Sequence, residues 1–269
     1  MNRSGLNNKS ATHHLNPGKP MRRFNLITVL TMAFIALGVS QAAKSKDESL
    51  ESAVKQSYNF QHYLKDENVK VTSKNGTVTL KGEVSDNFHR TLAQETAADV
   101  PGVTAVENKL EVKGEQPAEN SDPWVQAKVK MALLFHRNVS SLTDVEVKDG
   151  VATLSGKANS EAEKALTEEY AKDVEGVRSV NNQMTVAGSA PKKETLGDKI
   201  DDASITAQVK ATLLAHRSTS AVNTHVKTKG GVVNLTGTAQ NGAEKDLVTK
   251  LVDDINGVKD VNNDMSVAD

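Results

Sequence analysis

The chain has 269 residues, 37% of them hydrophobic and 25% charged, with 3% aromatics and no cysteine. This composition excludes collagen, a disulfide scaffold, a structural cysteine zinc site and cysteine catalysis. The net charge of -1 hides an asymmetry: residues 1–43 carry five Lys/Arg and no acid, which leaves 28 basic against 34 acidic residues beyond them, a body too acidic to wrap nucleic acid.

Residues 1–20 are polar, hold His13-His14 and end in Pro20. They read as an extension ahead of a start at Met21, and two histidines there do not make a metal site. Residues 21–42 read as a secretory signal peptide. Arg22-Arg23 precede an apolar run from Leu26 to Val39, and Ser40-Gln41-Ala42 offers small residues for cleavage after Ala42. The run is short for a bilayer span, and a retained anchor is the other reading. A lipoprotein anchor is excluded because no cysteine follows.

Beyond the signal, one unit occurs three times. Gly76, Gly150 and Gly231 align; then Gly82, Gly156 and Gly237; Gly102, Gly176 and Gly257; Asn108, Asn182 and Asn263; with matching valines between them. The units span 47–114, 120–188 and 199–269, joined by polar segments with Gly and Pro.

Each unit opens with an amphipathic helix. Val125, Val129 and Leu133 make its apolar stripe in the second copy, behind a cap at Asp122. Ile205, Val209 and Leu213 do so in the third, behind Asp202, and Leu50, Val54 and Tyr58 more weakly in the first. A second line runs along the second copy's helix, about 100° from the core stripe by helical geometry: Trp124, Lys128, Met131 and Phe135, with Lys130 and Arg137 nearby. The third copy has Ser204, Gln208, Ala211 and Ala215 there. An aromatic, Met-bearing edge with cations suits an interfacial lipid contact or a partner groove. The alternative is packing against the first or third copy, or a widened core stripe. His136-Arg137 and His216-Arg217 close this helix in two copies, where cations suit the negative end of the dipole.

A hairpin follows. Asn75-Gly76, Asp149-Gly150 and Gly230-Gly231 suit a type I′ turn, and Gly82, Gly156 and Gly237 are expected to end it. A second helix comes next, with Ser160 and Glu163 at capping-box spacing. Leu92, Leu166 and Leu247 share one inner position on it, and Val100, Val174 and Ile255 another. The last strand carries Asn108, Asn182 or Asn263 among apolar residues. A polar group there needs a hydrogen bond, and loop backbone beside the preceding Gly-Val turn is the expected partner. The fold class is α+β: three tandem α-β-β-α-β domains, each a three-stranded mixed sheet on two helices. The last strand is parallel to the second, and the strand order stays open.

The segments Ile205-to-Lys210, Gly231-to-Gly237 and Gly257-to-Met265, with their equivalents in the other copies, resemble the BON (bacterial OsmY and nodulation) domain family. The resemblance covers nearly all of 47–269. It implies a Gram-negative periplasmic protein with a role in envelope upkeep of the osmotic-stress kind, without catalysis or cofactor. The implied partners are exported or outer-membrane client proteins, or anionic phospholipid. The residues alone show no catalytic motif, metal cluster or small-molecule site. The resemblance favours an envelope-stress and chaperone role; the one clear stripe, on the first helix of the second copy, makes lipid contact the alternative.

Overall fold

The structure is a computed structural model and describes residues 44–139, 143–187, 199–219 and 223–268. The signal peptide and the extension before it lie outside the described residues. Domain 1 holds α1 (44–56), α2 (Tyr58–His62), β1 (Asn68–Lys74), β2 (Thr77–Val84), α3 (Asn87–Asp99) and β3 (Ala105–Val112). Domain 2 holds α4 (Asp122–Leu134), β4 (Thr143–Lys148), β5 (Val151–Ala158), α5 (Glu161–Lys172), β6 (Ser179–Asn182) and β7 (Thr185–Val186). Domain 3 holds α6 (Asp202–Ala215), β8 (Thr224–Lys229), β9 (Val232–Ala239), α7 (Gly242–Asp253), β10 (Asp260–Asn263) and β11 (Ser266–Val267).

Each sheet is mixed, with the second hairpin strand in the middle. β2 pairs antiparallel with β1 and parallel with β3. β5 sits in the same way between β4 and the consecutive segments β6 and β7, and β9 between β8 and the segments β10 and β11. The strand–helix–strand crossover forces this: a helix on one face returns the chain parallel to the strand it left. The helices cover one face only, so the strands alternate. Val71, Val78 and Leu80 are buried while Lys70, Thr72 and Lys74 face away.

The hairpin turns have positive φ at both central residues: 53° and 81° at Asn75 and Gly76, 52° and 75° at Asp149 and Gly150, 62° and 84° at Gly230 and Gly231. An aspartate holds each turn. Asp47 accepts from the Asn75 and Gly76 amides at 2.8 and 3.0 Å. Asp122 does the same for Asp149 and Gly150, and Asp202 for Gly230 and Gly231. This corrects the expected caps. The N-cap positions are Ser121 and Asp201, one residue earlier, and only Asp201 caps with its side chain, accepting from the Ser204 amide. Asp122 and Asp202 turn outward from the helix and tie its start to the hairpin.

The antiparallel ladder ends at Gly156 and Gly237 as expected, opposite Thr143 and Thr224, and in the first copy runs one pair past Gly82, which lies opposite Val69. A Cβ on Gly82 or Gly237 would stand 1.8 Å from the carbonyl oxygen of Asn68 or Asn223. Glycine is needed there because the partner backbone crosses close to it.

The second helices begin as the spacing predicts: Ser160 accepts from the Glu163 amide, and Glu163 reaches back to the amide of Asn159. Val100, Val174 and Ile255 are buried as expected, but the other inner position is one residue away from the expected one. Ala93, Thr167 and Val248 are buried at the shared core position, whereas Leu166 and Leu247 are half-exposed. Leu92 is buried because it packs into the cluster of domain 3, not into its own sheet. In the first copy α1 breaks at Ser57, whose φ and ψ are −61° and 150°, so Tyr58 starts a new turn rather than extending the stripe.

Candidate interaction surface and interdomain joint

α6 sits at the centre of the three domains. Most of its residues are buried, polar ones included. Domain 1 packs α3 along it. Lys210 pairs with Glu95 at 3.0 Å and Asp99 at 2.8 Å. Buried Asn59 bonds Thr96, Gln208 and the Ser204 carbonyl, and Asp201 accepts from the Tyr58 amide. A paired polar network fixes register here where apolar contact alone would let helices slide. A cleft of about 630 Å³ remains between domains 1 and 3, with Val100, Pro101, Ala203, Asp201 and Lys229 in its walls.

Domains 2 and 3 meet through the ends of their first helices. The Arg137 amide donates to the Asp254 carbonyl at 2.8 Å, and the Arg217 amide donates to the Asp173 carbonyl at 3.0 Å. The Arg137 guanidinium donates to the carbonyls of Asp253, Ile255 and Val258 at the end of α7. That of Arg217 donates to Lys172 and Val177 at the end of α5. Two short antiparallel bridges, His136 with Ile255 and Val174 with His216, complete a reciprocal exchange. The cations at the helix ends thus serve the neighbouring domain's second helix rather than closing their own, because each chain end leaves its helix and crosses the joint.

Five titratable side chains fill the space between these bridges. The His136 ring stacks on Tyr170 with centroids 4.0 Å apart, and the His216 ring lies 6.2 Å from it. Nδ1 of His136 lies 3.2 Å from Oδ2 of Asp254, which also accepts from the Tyr170 hydroxyl at 3.0 Å. Nδ1 of His216 lies 2.9 Å from Oδ2 of Asp173. Burial pushes the His136 imidazole below its ordinary value, and the Asp254 carboxylate opposes this only in part. Burial raises Asp173, but His216, Ser218 and Arg217 outweigh it and hold that carboxyl below its usual range. Burial also raises the Tyr170 hydroxyl, with Asp254 adding to it. Among the described residues, no three His, Asp or Glu side chains converge as metal ligands.

The second line on α4 does not form one open face. Phe135 is fully buried and meets Tyr63 and Phe88 of domain 1, with ring centroids 5.2 and 5.7 Å away. Met131 lies half-buried between the clusters of domains 2 and 3. Arg137 belongs to the joint. Lys128 lies 4.5 Å above the Trp124 ring and pairs with Glu175 at 2.9 Å. Trp124 packs on the edge of its own core, and Lys130 is exposed. The helix thus divides: its N-terminal part keeps Trp124 and Lys130 at the surface, and its C-terminal part is buried between domains. Among the described residues, the large hydrophobic side chains open to solvent are Val151, Leu214 and Val267.

The repeated asparagines tie the last strand to the second helix, not to the Gly-Val turn. Nδ2 of Asn108, Asn182 and Asn263 donates to the carbonyls of Arg90, Lys164 and Lys245. Each Oδ1 accepts the amide two residues on, from Leu110, Met184 or Met265. The turn is held instead by backbone, the Thr104, Arg178 and Lys259 amides donating to the carbonyls of Gly76, Gly150 and Gly231. At Gly102, Gly176 and Gly257 a Cβ would press on Leu50, Val125 and Ile205, so these glycines let each first helix lie close.

The reciprocal joint is the feature sequence reasoning missed. Its signal was present in the doubled His-Arg pair, beside Asp173 and Asp254 at equivalent places.

Comparison with known proteins places these units. Osmotically-inducible protein Y of Escherichia coli (strain K12) is 37% identical over 146 residues, 54% of this chain and 71% of that protein. An uncharacterized protein in the gshII 5' region of Anaplasma centrale is 34% identical over 141 residues, 52% of this chain and 90% of that protein. A solved structure of CdsD, a structural protein of the type III secretion system of Chlamydia trachomatis, aligns over 82% of this chain and 92% of that one, at 16% identity and a TM-score of 0.23. The BON domain matches residues 46–114, 121–188 and 201–269, and the chain belongs to the BON domain family, three domains in one polypeptide.

Proposed function

We propose that this chain is a non-enzymatic periplasmic protein of the osmotic-stress type, exported by a signal peptide cleaved near Ala42, and that it acts as a holdase for exported proteins. The observation that carries this reading is the 37% identity with an osmotically inducible protein over 146 residues, about the length of two of the three domains. Many weak contacts from three linked modules suit a holdase, since linkage raises avidity without a tight single site. The acidic body keeps such a chain soluble. The test is light scattering from an unfolded outer-membrane protein diluted into buffer. The chain is expected to suppress aggregation near stoichiometric amounts. Unchanged scattering at a tenfold excess of chain overturns the reading.

The lipid alternative rests on Trp124, the member of the predicted line at the surface edge of its own core, and on the exposed Lys130 nearby. Flotation with anionic vesicles, abolished by Trp124→Glu, supports it; no flotation removes it.

A further inference from the structure

Domain 2 meets the rest through the C-terminal part of α4 and the end of α5, which takes the returning end of α6, with the two bridges between them. Residues 135–138 reach domains 1 and 3, while His216 and Arg217 return the contact. His136 lies at the middle of this joint. Its side chain is 0% exposed, and neither ring nitrogen has a hydrogen bond of good geometry. We propose that the joint between domains 2 and 3 is an acid-sensitive clasp: protonation of His136 releases domain 2 from the pair formed by domains 1 and 3.

The charged and titratable groups around His136 come from every element packed on it. The end of α7 contributes Asp254. α5 and its cap contribute Tyr170 and Asp173, the latter through His216. The end of α6 contributes His216 and Arg217, and Arg137 adjoins His136 in the chain. Asp254 favours an imidazolium. Burial against the Tyr170 ring and the neighbouring His216 oppose it, and the net effect is a site that resists the proton.

In the open joint His136 meets water and regains an ordinary value near 6.5. Protons therefore bind the open form better. The closed joint is favoured fully above that pH and loses ground as pH falls below it, until the pH reaches the lower value of the closed form. One proton changes the opening constant by at most tenfold per pH unit within that window. Asp173 responds separately, in stronger acid, because its carboxyl is held below the usual range. Opening uncovers Phe135, so the device also governs how much apolar surface the chain shows. The inference does not depend on the holdase reading.

The chain has no cysteine, so two spin labels can be placed cleanly, at Glu146→Cys on β4 and Thr236→Cys on β9. Distances are measured from pH 8 to pH 5 in the full chain, with His136 intact and as His136→Phe. Phenylalanine keeps the stack on Tyr170 and cannot take a proton. The expected result is a long-distance population that grows below pH 6.5 with His136 and stays flat with phenylalanine. An unchanged distribution with His136 intact overturns the proposal, and so does equal opening in both proteins. If His136→Phe is already open at pH 8, the titration of His136 by NMR in the unlabelled chain decides. A closed-state value below the ordinary one supports the clasp, and a value at or above it overturns the clasp.

Discussion

Arg137 of domain 2 and Arg217 of domain 3 stand at equivalent places in their repeats, and each donates to the carbonyls that end the second helix of the other's domain. The exchange makes one joint from two copies of a contact. Its energy comes from charge-assisted bonds to carbonyls at and just beyond the helix ends.

Removing one arginine leaves those carbonyls short of a donor. Arg137→Ala is expected to cost about 2 kcal/mol of docking, in line with the penalty for unsatisfied buried groups. Urea unfolding checks this. The variant should show domain 2 melting ahead of domains 1 and 3, where the parent melts in closer register.

Phe135, from domain 2, is buried in the cluster of domain 3 and against Tyr63 and Phe88 of domain 1. Phe135→Ala is expected to cost about 3–5 kcal/mol, the usual range for a buried aromatic. Differential scanning calorimetry should show this as a lower, broader transition. Met131→Ala, only half-buried, should cost less.

Leu92, Leu166 and Leu247 test whether position in the repeat or contact between repeats sets burial. Leu92→Ala should cost about 2–5 kcal/mol, because its side chain lies in the cluster of domain 3. Leu166→Ala and Leu247→Ala should each cost under about 1 kcal/mol. Equal losses at all three in denaturant titrations would contradict the docking of α3 on α6.

Asp47 and Asp122 are held below the ordinary carboxylate value, chiefly by the backbone amides of the hairpin turns they clasp. A lowered carboxyl stabilises the fold above its unfolded value near 3.9 and loses that contribution as pH falls through the folded value. Acid titration of the parent should therefore show a loss of stability below about pH 4 that shrinks in Asp122→Asn. The variant should also unfold at lower temperature at pH 7.

Gly82 and Gly114 separate conformation from crowding. Both have positive φ, at 125° and 72°, but nothing lies within 4 Å of a Cβ on Gly114. Gly114→Ala should cost about 1 kcal/mol for the left-handed backbone alone. Gly82→Ala must also displace the strand beside it and should cost about 3 kcal/mol or more. Thermal midpoints of the two variants make the comparison.

Much was legible in the sequence because it depends on contacts local in the chain. Gly76, Gly150 and Gly231 mark turns whose φ values are a property of two residues. Ile205, Val209 and Leu213 show their buried face by spacing alone, since helical geometry aligns them before anything packs. Three repeats in register fixed the domain count and the element order, and the crossover rule fixed the direction of the last strand. The sequence could not distinguish residues that face their own sheet from residues that face another domain. Leu92 and Phe135 are as apolar as core residues, and His136 and Arg137 are as polar as a helix end, yet all four meet partners more than 25 residues away in the chain or in another repeat. Which surfaces meet depends on how three similar bodies complement one another in shape and hydrogen bonding. That is a property of the assembled molecule, and no periodicity within one repeat encodes it.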